Sequence, residues 1–175
     1  MNLDEYEFKG RMRLGDIREL CLECCGSGNE DSKEELFSLA CNEDDRIAYN
    51  ALWVFTHFPA TDMRWLSSKR DVLIDLLLHT DHVGKQRLIL TLLEHQSIPV
   101  EEIRTDYLDF CLSKINATAP YAIRALSLKQ AYRMCRHYPD LLTELRLEMD
   151  MMIHGPLSPG LRSAIRSVRR KLAKQ

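Results

Sequence analysis

Apolar residues recur at steps of three and four through most of the chain, which is the spacing of one face of an α-helix. The clearest example is residues 119–152, APYAIRALSLKQAYRMCRHYPDLLTELRLEMDMM. This pattern predicts two amphipathic helices that meet at Pro139, because proline disfavours helical geometry in the residue before it and is tolerated at a helix start. We interpret the rest of the chain as earlier and later copies of this helical hairpin.

The first helix of this hairpin has an unusually broad apolar side. It is expected to comprise Tyr121, Ala125, Leu128, Tyr132 and Cys135, widened by Ala131, Met134 and Tyr138. A helix this broadly apolar must be covered from two directions, by its partner helix and by a neighbouring hairpin. Arg124 falls within the apolar arc, so we expect it to pair with a carboxylate from an adjacent hairpin.

Similar patterns predict helices in the rest of the chain. They span about 4–25, as one helix or as two broken near Gly15, then 31–41, 47–58, 62–79 with a break at Ser67-Ser68, 83–96 and 100–115. The last helix, GLRSAIRSVRRKLAK, has one apolar stripe formed by Leu161, Ile165, Val168 and Leu172. We expect this stripe to close the end of the stack over Met149, Met151 and Met152.

Two registers reveal an internal repeat. Pro59, Pro99 and Pro139 lie forty residues apart in succession, and each follows an apolar residue. A second register consists of small-large pairs spaced by 37, 37 and 39 residues: Ala51-Leu52, Leu88-Ile89, Ala125-Leu126 and Ala164-Ile165. Because the two registers do not quite agree, we expect the first helices of the units to differ in length.

A helical hairpin with this period resembles the HEAT and armadillo-like α-solenoid family, over roughly residues 44–175. The resemblance implies an all-α, right-handed α-α superhelix of about four to five hairpins, with the second helices on its concave side. It implies one domain over residues 1–175, divided into an amino-terminal cap hairpin (1–43), HEAT-like repeats (44–157) and a carboxy-terminal capping helix (158–175). It implies no chemistry.

Composition and charge narrow the picture further. Apolar residues make up 45% of the 175 residues and only seven Gly and six Pro are present, which is typical of a single all-α domain. Residues 1–45 carry 13 acidic and 5 basic residues, whereas residues 46–175 carry 13 acidic and 19 basic ones. The amino terminus lacks the features of a secretory signal and the apolar runs are too short to span a membrane. We therefore predict a soluble cytoplasmic protein with no membrane contact and with reduced cysteines.

Candidate chemistry is sparse. Cys21 and Cys24 form a CxxC, but no second pair of ligands follows and both fit the apolar stripe of their helix, so we interpret them as buried structural thiols. His79 and His82 lie where a turn is expected, which favours turn or capping roles. No GxSxG, Walker loop, GxGxxG or HExxH occurs in the sequence. We therefore predict no enzyme activity, no cofactor and no metal.

The sequence thus favours a scaffold that binds an unidentified protein partner, with nucleic-acid binding as the alternative. The candidate partner-binding residues are Arg162, Arg166, Arg169, Arg170, Arg133 and Arg136. The DNA alkylation repair glycosylases are also HEAT-like, and a binding patch of that kind would draw on Trp53, Trp65, Arg64, Lys69 and Arg70. No residue matches the catalytic acid of that family, and we expect Trp53 to pack in the core.

Overall fold

The chain folds into α-helices that follow one another with short connections. The computed structural model describes residue 3 and residues 5–116 and 118–174. Its helices are α1 (Glu5–Lys9), α2 (Leu14–Cys24), α3 (Glu30–Ala40), α4 (Asp45–Phe55), α5 (Ala60–Met63), α6 (Arg70–His79), α7 (Val83–Glu94), α8 (Thr105–Ile115), α9 (Tyr121–Cys135), α10 (Pro139–Ile153) and α11 (Pro159–Leu172). Two 3-10 helices cover Arg64–Lys69 and Val100–Glu102. No strand occurs in these described ranges, so the predicted all-α fold is confirmed.

The first helices of the hairpins begin at a constant interval. The residues that precede α4, α7, α9 and α11 are Asp44, His82, Pro120 and Ser158, each 38 residues after the last. Asp44 accepts a hydrogen bond from the amide of Arg46 at 2.8 Å, His82 Nδ1 from Lys85 at 3.1 Å, and Ser158 Oγ from Leu161 at 3.2 Å. Such caps satisfy amides that the first turn of a helix leaves unpaired. The repeat is therefore 38 residues long.

The three repeat prolines open the second part of each hairpin, as predicted. Pro59 precedes α5, Pro99 precedes the second 3-10 helix, and Pro139 is the first residue of α10. Their 40-residue spacing exceeds the 38-residue interval because the first helices lengthen along the chain, from 11 residues in α4 to 12 in α7 and 15 in α9. The expected difference in helix length is thus confirmed.

Contacts divide the chain into two compact units, residues 1–96 and residues 97–175. Residues 1, 2, 4, 117 and 175 of the predicted single domain lie outside the described residues. Folding as one cooperative domain, the three-part division within it and the right-handed superhelix stay predictions. Each unit is described below by itself.

In the first unit, α4 is the central helix and packs against α1, α2, α3 and α7. The buried Asn50 of α4 holds the end of α1, donating from Nδ2 to the carbonyls of Phe8 (2.8 Å) and Gly10 (3.1 Å). Of the two predicted alternatives, two helices is correct: the break covers residues 10–13, just before Gly15, and α2 begins at Leu14. Asp16 accepts a hydrogen bond from the amide of Arg13 at 2.7 Å, which fixes the start of α2.

A buried ion pair joins three segments of this unit. Lys33 of α3 and Asp62 of α5 are both buried, with Nζ and Oδ1 2.9 Å apart. The same carboxylate accepts the amide of Gly26 at 2.9 Å, and Lys33 also donates to the Gly26 carbonyl at 3.2 Å. Gly26 has a φ of +101°, a conformation that glycine adopts without steric cost. The pair therefore fixes the α2–α3 loop against α5.

In the second unit, α9 is covered by α8, α10 and α11. The expected burial of Leu128, Ala131, Tyr132, Met134 and Cys135 is correct, but Tyr121 and Tyr138 are exposed and Ala125 is half-buried. Ile123, Ser127 and Gln130 are buried instead, which rotates the buried face by roughly a quarter turn from the predicted one. Within this face, the Oε1 atom of Gln130 accepts a hydrogen bond from Nη1 of Arg133 at 3.0 Å.

The expected carboxylate partner of Arg124 is also wrong. Its Nε donates to the main-chain carbonyl of Ile115 at 2.9 Å, and its guanidinium lies 5.9 Å from the centre of the Tyr121 ring. Ile115 is the last residue of α8, where unpaired carbonyls carry partial negative charge. The end of a helix thus takes the place of the acidic side chain that the sequence predicted.

The apolar stripe of α11 is buried as predicted. Leu161, Ile165, Val168 and Leu172 face the core, and the main neighbour of the helix is α9. Of the three methionines expected beneath it, Met149 and Met152 are buried, but Met151 is exposed. Met149 and Met152 are three residues apart and therefore lie on the same face of α10. Met151 points about 100° away from Met152 and so lies on another face.

Substitution of Ile165 tests the packing of α11. We expect Ile165→Asp to lower the free energy of unfolding by about 2–5 kcal/mol, because it buries a carboxylate without a partner. Ser163→Asp, at an exposed position of the same helix, is the matched control and should change stability by less than about 0.5 kcal/mol. Urea unfolding followed by circular dichroism measures both, and equal stabilities would contradict the burial of Ile165.

Substitution of Asp62 tests the buried ion pair. Hydrogen bonds from the Gly26 amide and then from Lys33 hold the pKa of the Asp62 carboxyl below its ordinary value of 3.8. We expect Asp62→Asn to cost on the order of 3 kcal/mol at pH 7, because Lys33 loses its buried partner. Glu30→Gln, which removes the exposed partner of Lys33, is the control and should cost less than about 1 kcal/mol.

The difference between wild type and Asp62→Asn should also depend on pH. Since the pKa is lower in the folded chain, the contribution of Asp62 is fully present well above 3.8 and is lost as the pH falls through the folded value. Urea unfolding at a series of pH values from 7 down to 3 measures this. A difference that stayed constant over the whole range would exclude the ionised pair as its source.

Candidate functional site

A groove lies between α8 and α10 in the second unit. Leu147 and Met151 of α10 are 61% and 57% exposed, although both are large apolar side chains. They lie one turn apart on the same side of the helix, and the half-buried Leu112 of α8 faces them across the groove. The groove encloses about 630 Å³. These three apolar side chains, which we call the floor of the groove, are therefore open to solvent.

The rim of this groove is acidic. Glu144, Glu148 and Asp150 line it, together with His154. Glu148 accepts a hydrogen bond from the side-chain amide of Asn116. Because this amide is neutral, the negative charge of Glu148 stays uncompensated. Asp150 is the exception, because its Oδ1 lies 2.5 Å from Nη2 of Arg169 in α11. Two carboxylates, those of Glu144 and Glu148, thus form no ion pair with any other described residue.

The exposed side of α11 carries the opposite charge. Arg162, Arg166 and Arg170 lie at successive steps of four, all exposed, and none forms an ion pair within the described part of the chain. Arg169 is paired with Asp150, and Lys171 lies 5.7 Å from the centre of the Tyr132 ring. Three of the predicted partner-binding arginines therefore form one basic row.

The other two predicted residues belong to α9 and its end. Arg133 is half-buried and donates to Gln130 within the same helix. Arg136 is exposed and its Nε donates to Nε2 of His137 at 3.0 Å. Both therefore make local contacts of their own, in contrast to the unpaired row of α11.

A larger cavity of about 690 Å³ lies in the first unit, lined by Tyr49 and Trp53 of α4 and by His82. The Tyr49 ring centre lies 6.3 Å from that of Trp53 and 5.9 Å from that of His82. The charges in the cavity are mixed, since Arg11 and Arg46 line it alongside Asp44 and Asp45. Asp45 is already paired with Lys85 at 2.9 Å. Such mixed charge selects no single class of ligand.

One family of known proteins matches this chain. The HEAT repeat domain family matches residues 5–172, nearly the whole chain. The chain belongs to the HEAT repeat domain family. No curated protein and no solved structure matches it. HEAT repeats are generally non-catalytic and typically mediate protein interactions.

The residues considered for a glycosylase-like HEAT protein do not form one patch. Trp53 is half-buried and lines the aromatic cavity, so its expected place in the core is wrong. Trp65 stacks on Phe55 with an interplanar angle of 7°. Because positions 53 and 55 of a helix point about 200° apart, the two tryptophans lie on opposite sides of α4. Lys69 is held by Glu34 at 2.8 Å and lies over the Trp65 ring.

The cysteines of this HEAT chain have little thiolate character. Cys21 and Cys24 are buried, as their stripe predicts, and the Sγ of Cys21 donates to the carbonyl of His57 at 3.2 Å. Burial raises the pKa of the Cys24 thiol to about 11 and, together with a hydrogen bond that Cys25 donates to the Sγ of Cys21, that of the Cys25 thiol to about 12. Thiols with such pKa values are poor nucleophiles at neutral pH.

The histidines near the start of α7 have local structural roles. His82 is the cap of α7, and His79 Nδ1 bonds the Asp75 carbonyl at 2.7 Å, so both fill the turn and capping roles predicted for them. Among the residues described, no cluster of His, Cys, Asp or Glu is arranged to hold a metal ion. None of the described helices is both long and apolar enough to cross a membrane.

Sequence reasoning missed the floor of the groove. Leu112, Leu147 and Met151 were not among the candidate partner-binding residues. A signal was available, because α10 carries eight large apolar residues in PDLLTELRLEMDMMI and a single buried face cannot hold them all. Such an excess indicates either a second packing partner in the chain or an exposed binding face.

The predicted absence of a structural metal can be tested directly. We expect the purified protein to carry no stoichiometric zinc and its Tm to stay unchanged when a chelator is added. A metal bound at a structural site contributes folding free energy, so its removal would lower the Tm by several degrees. Elemental analysis and a thermal melt with and without chelator are the measurements. A chelator-dependent melt would reassign Cys21, Cys24 and Cys25 as ligands.

Proposed function

We propose that this HEAT-repeat chain is a non-catalytic cytoplasmic scaffold, without a cofactor, that binds a protein partner on the second helices of its hairpins. The observation that carries the proposal is the exposed apolar pair Leu147 and Met151 beside Leu112 in the α8–α10 groove. Large apolar side chains that cluster in an open groove mark interaction sites, because a partner removes them from water.

The lack of catalytic activity is proposed on the chemistry of the side chains. The thiols of Cys24 and Cys25 are poor nucleophiles because their pKa values are raised. His82, which could serve as a base, uses its Nδ1 as a helix cap. Among the described residues, the lining of the groove offers its carboxylates no hydroxyl or thiol to activate, since the rest of that lining is Leu112, Leu147, Met151 and His154. Binding accounts for these residues more simply than catalysis does.

The basic row of α11 supplies a second proposed contact. Arg162, Arg166 and Arg170 repeat every turn on a face with no apolar residue to bury, so the row suits an acidic protein segment. The same row is the observation that favours nucleic acid as the second candidate, because phosphates bind rows of arginine equally well. Arg169, Arg133 and Arg136 stay predicted members of this surface.

Affinity capture with matched variants tests the proposed function. Wild type, Leu147→Ser with Met151→Ser, and Arg162→Gln with Arg166→Gln and Arg170→Gln are used as bait in extract of the source cells, with and without nuclease. We expect specific proteins to be retained by wild type in the presence of nuclease and to be absent with the Leu147–Met151 variant. A triple change to Gln at Arg13, Arg18 and Arg87, all exposed, is the control that removes the same charge elsewhere.

Two results would contradict the proposal. Retention of the same proteins by wild type and by the Leu147–Met151 variant would show that the groove is not the binding site. Recovery of nucleic acid alone would favour the second candidate. In that case the α11 triple variant should lower the slope of log affinity against log salt by about 0.9 for each phosphate that its arginines no longer neutralise, whereas the control triple should not.

A further inference from the structure

We propose that the α8–α10 groove binds a basic amphipathic helix of a protein partner. The inference rests on the proposed function and names the chemistry of the partner at the same site. It is drawn from three features of the groove: the spacing of its exposed apolar side chains, the sign of the charges around them, and the helices that form its walls.

The floor sets the apolar side of the partner. Leu147 and Met151 are one helical turn apart, about 6 Å along the axis of α10, and Leu112 stands opposite them. Side chains at steps of three and four on an incoming helix have the same spacing and can interdigitate with these three. Methionine adapts its shape to an incoming side chain, because its thioether chain is unbranched and flexible.

The rim sets the charge of the partner. Glu144 and Glu148 border the floor without an ion pair in the described structure, and Asp109 is exposed one turn before Leu112 on α8. No Lys or Arg lies among the described residues that line the groove. The one basic side chain of α10, Arg146, lines a different cavity beside Arg169. Lys or Arg residues beside the apolar stripe of a partner would therefore meet the carboxylates of Glu144 and Glu148.

The walls favour a helical partner over an extended one. An extended peptide gains most of its affinity by pairing with the exposed edge of a sheet. The described residues contain no strand, and the walls of the groove are helices whose main-chain groups are already paired. Only side chains are therefore available to contact the partner. A helix that presents one continuous apolar stripe makes a larger contact with them than an extended peptide does.

Other occupants fit less well. Nucleic acid and anionic membranes would place phosphates beside Glu144 and Glu148, which repel them. A second copy of this chain offers the basic helix α11, but the apolar stripe of that helix, with Leu161, Ile165 and Val168, is buried against α9. The exposed side of α11 therefore supplies the charge without the apolar residues that the floor requires.

Three synthetic peptides separate these requirements. The first is an 18-residue amphipathic helix of Leu and Lys, the second has Glu in place of every Lys, and the third is a scramble of the first with the same composition but no apolar face. Binding to the full chain is measured by fluorescence anisotropy at several salt concentrations. Hydrogen exchange locates the bound peptide. We expect the first peptide alone to bind, with protection confined to α8 and α10.

Four variants identify the side chains involved. Leu147→Ser with Met151→Ser should weaken binding at least about tenfold, since these residues form the floor. Glu144→Gln with Glu148→Gln should weaken it a few-fold and reduce its salt dependence. The controls lie on α2: Leu22→Ser changes an exposed leucine, and Glu19→Gln with Glu23→Gln removes two exposed carboxylates at the same helical spacing. Neither control should alter the affinity.

The outcomes separate this inference from the proposed function. Equal binding of the acidic or scrambled peptide, or binding that survives Leu147→Ser with Met151→Ser, overturns the inference. If the basic helix fails to bind while protein capture from extract still depends on Leu147 and Met151, the groove binds protein but the partner has another chemistry. If neither peptide binding nor capture depends on the groove, the inference and the proposed function both fail.

Discussion

The fold depends on the need to cover the first helix of each hairpin from more than one side. α4 is packed by α1, α2, α3 and α7, and α9 by α8, α10 and α11. A helix enclosed in this way has little surface left for binding. The second helices are packed mainly on one side, so α8 and α10 keep an outer face. The exposed side chains of Leu147 and Met151 lie on one of these outer faces, that of α10.

Polar side chains beside the core hold helix ends and a loop against neighbouring helices. Asn50 ties the carbonyls at the end of α1 to α4, and Asp62 ties the α2–α3 loop and Lys33 to α5. In both cases a short side chain satisfies main-chain groups that a helix end or loop leaves unpaired, which would otherwise be costly to bury. Arg124 does the same for the carboxyl end of α8. These contacts fix how each helix end meets its neighbour, which apolar packing alone does not specify.

Sequence reasoning recovered the features that depend on local chemistry. The repeat prolines begin the second half of each hairpin because proline suits a helix start, and the α11 stripe is buried because its spacing leaves one apolar side. It failed where the outcome depends on distant groups. Arg124 bonds the carbonyl at the end of α8 instead of a carboxylate, and Trp53 lines a cavity because α4 presents it away from Phe55. Hydropathy cannot reveal such partners, since they are set by the packing of other helices.

The charge pattern of the second unit gives the candidate surfaces their selectivity. α10 carries four acidic residues and one arginine, whereas α11 carries five basic residues and no acid. The Asp150–Arg169 pair joins the two helices, so charge is neutralised where they meet and left uncompensated on their outer sides. A ligand drawn to the arginine row is repelled by the Glu144–Glu148 rim, and a ligand drawn to the rim is repelled by the row. Under the proposed function, the two helices would therefore select ligands of opposite charge.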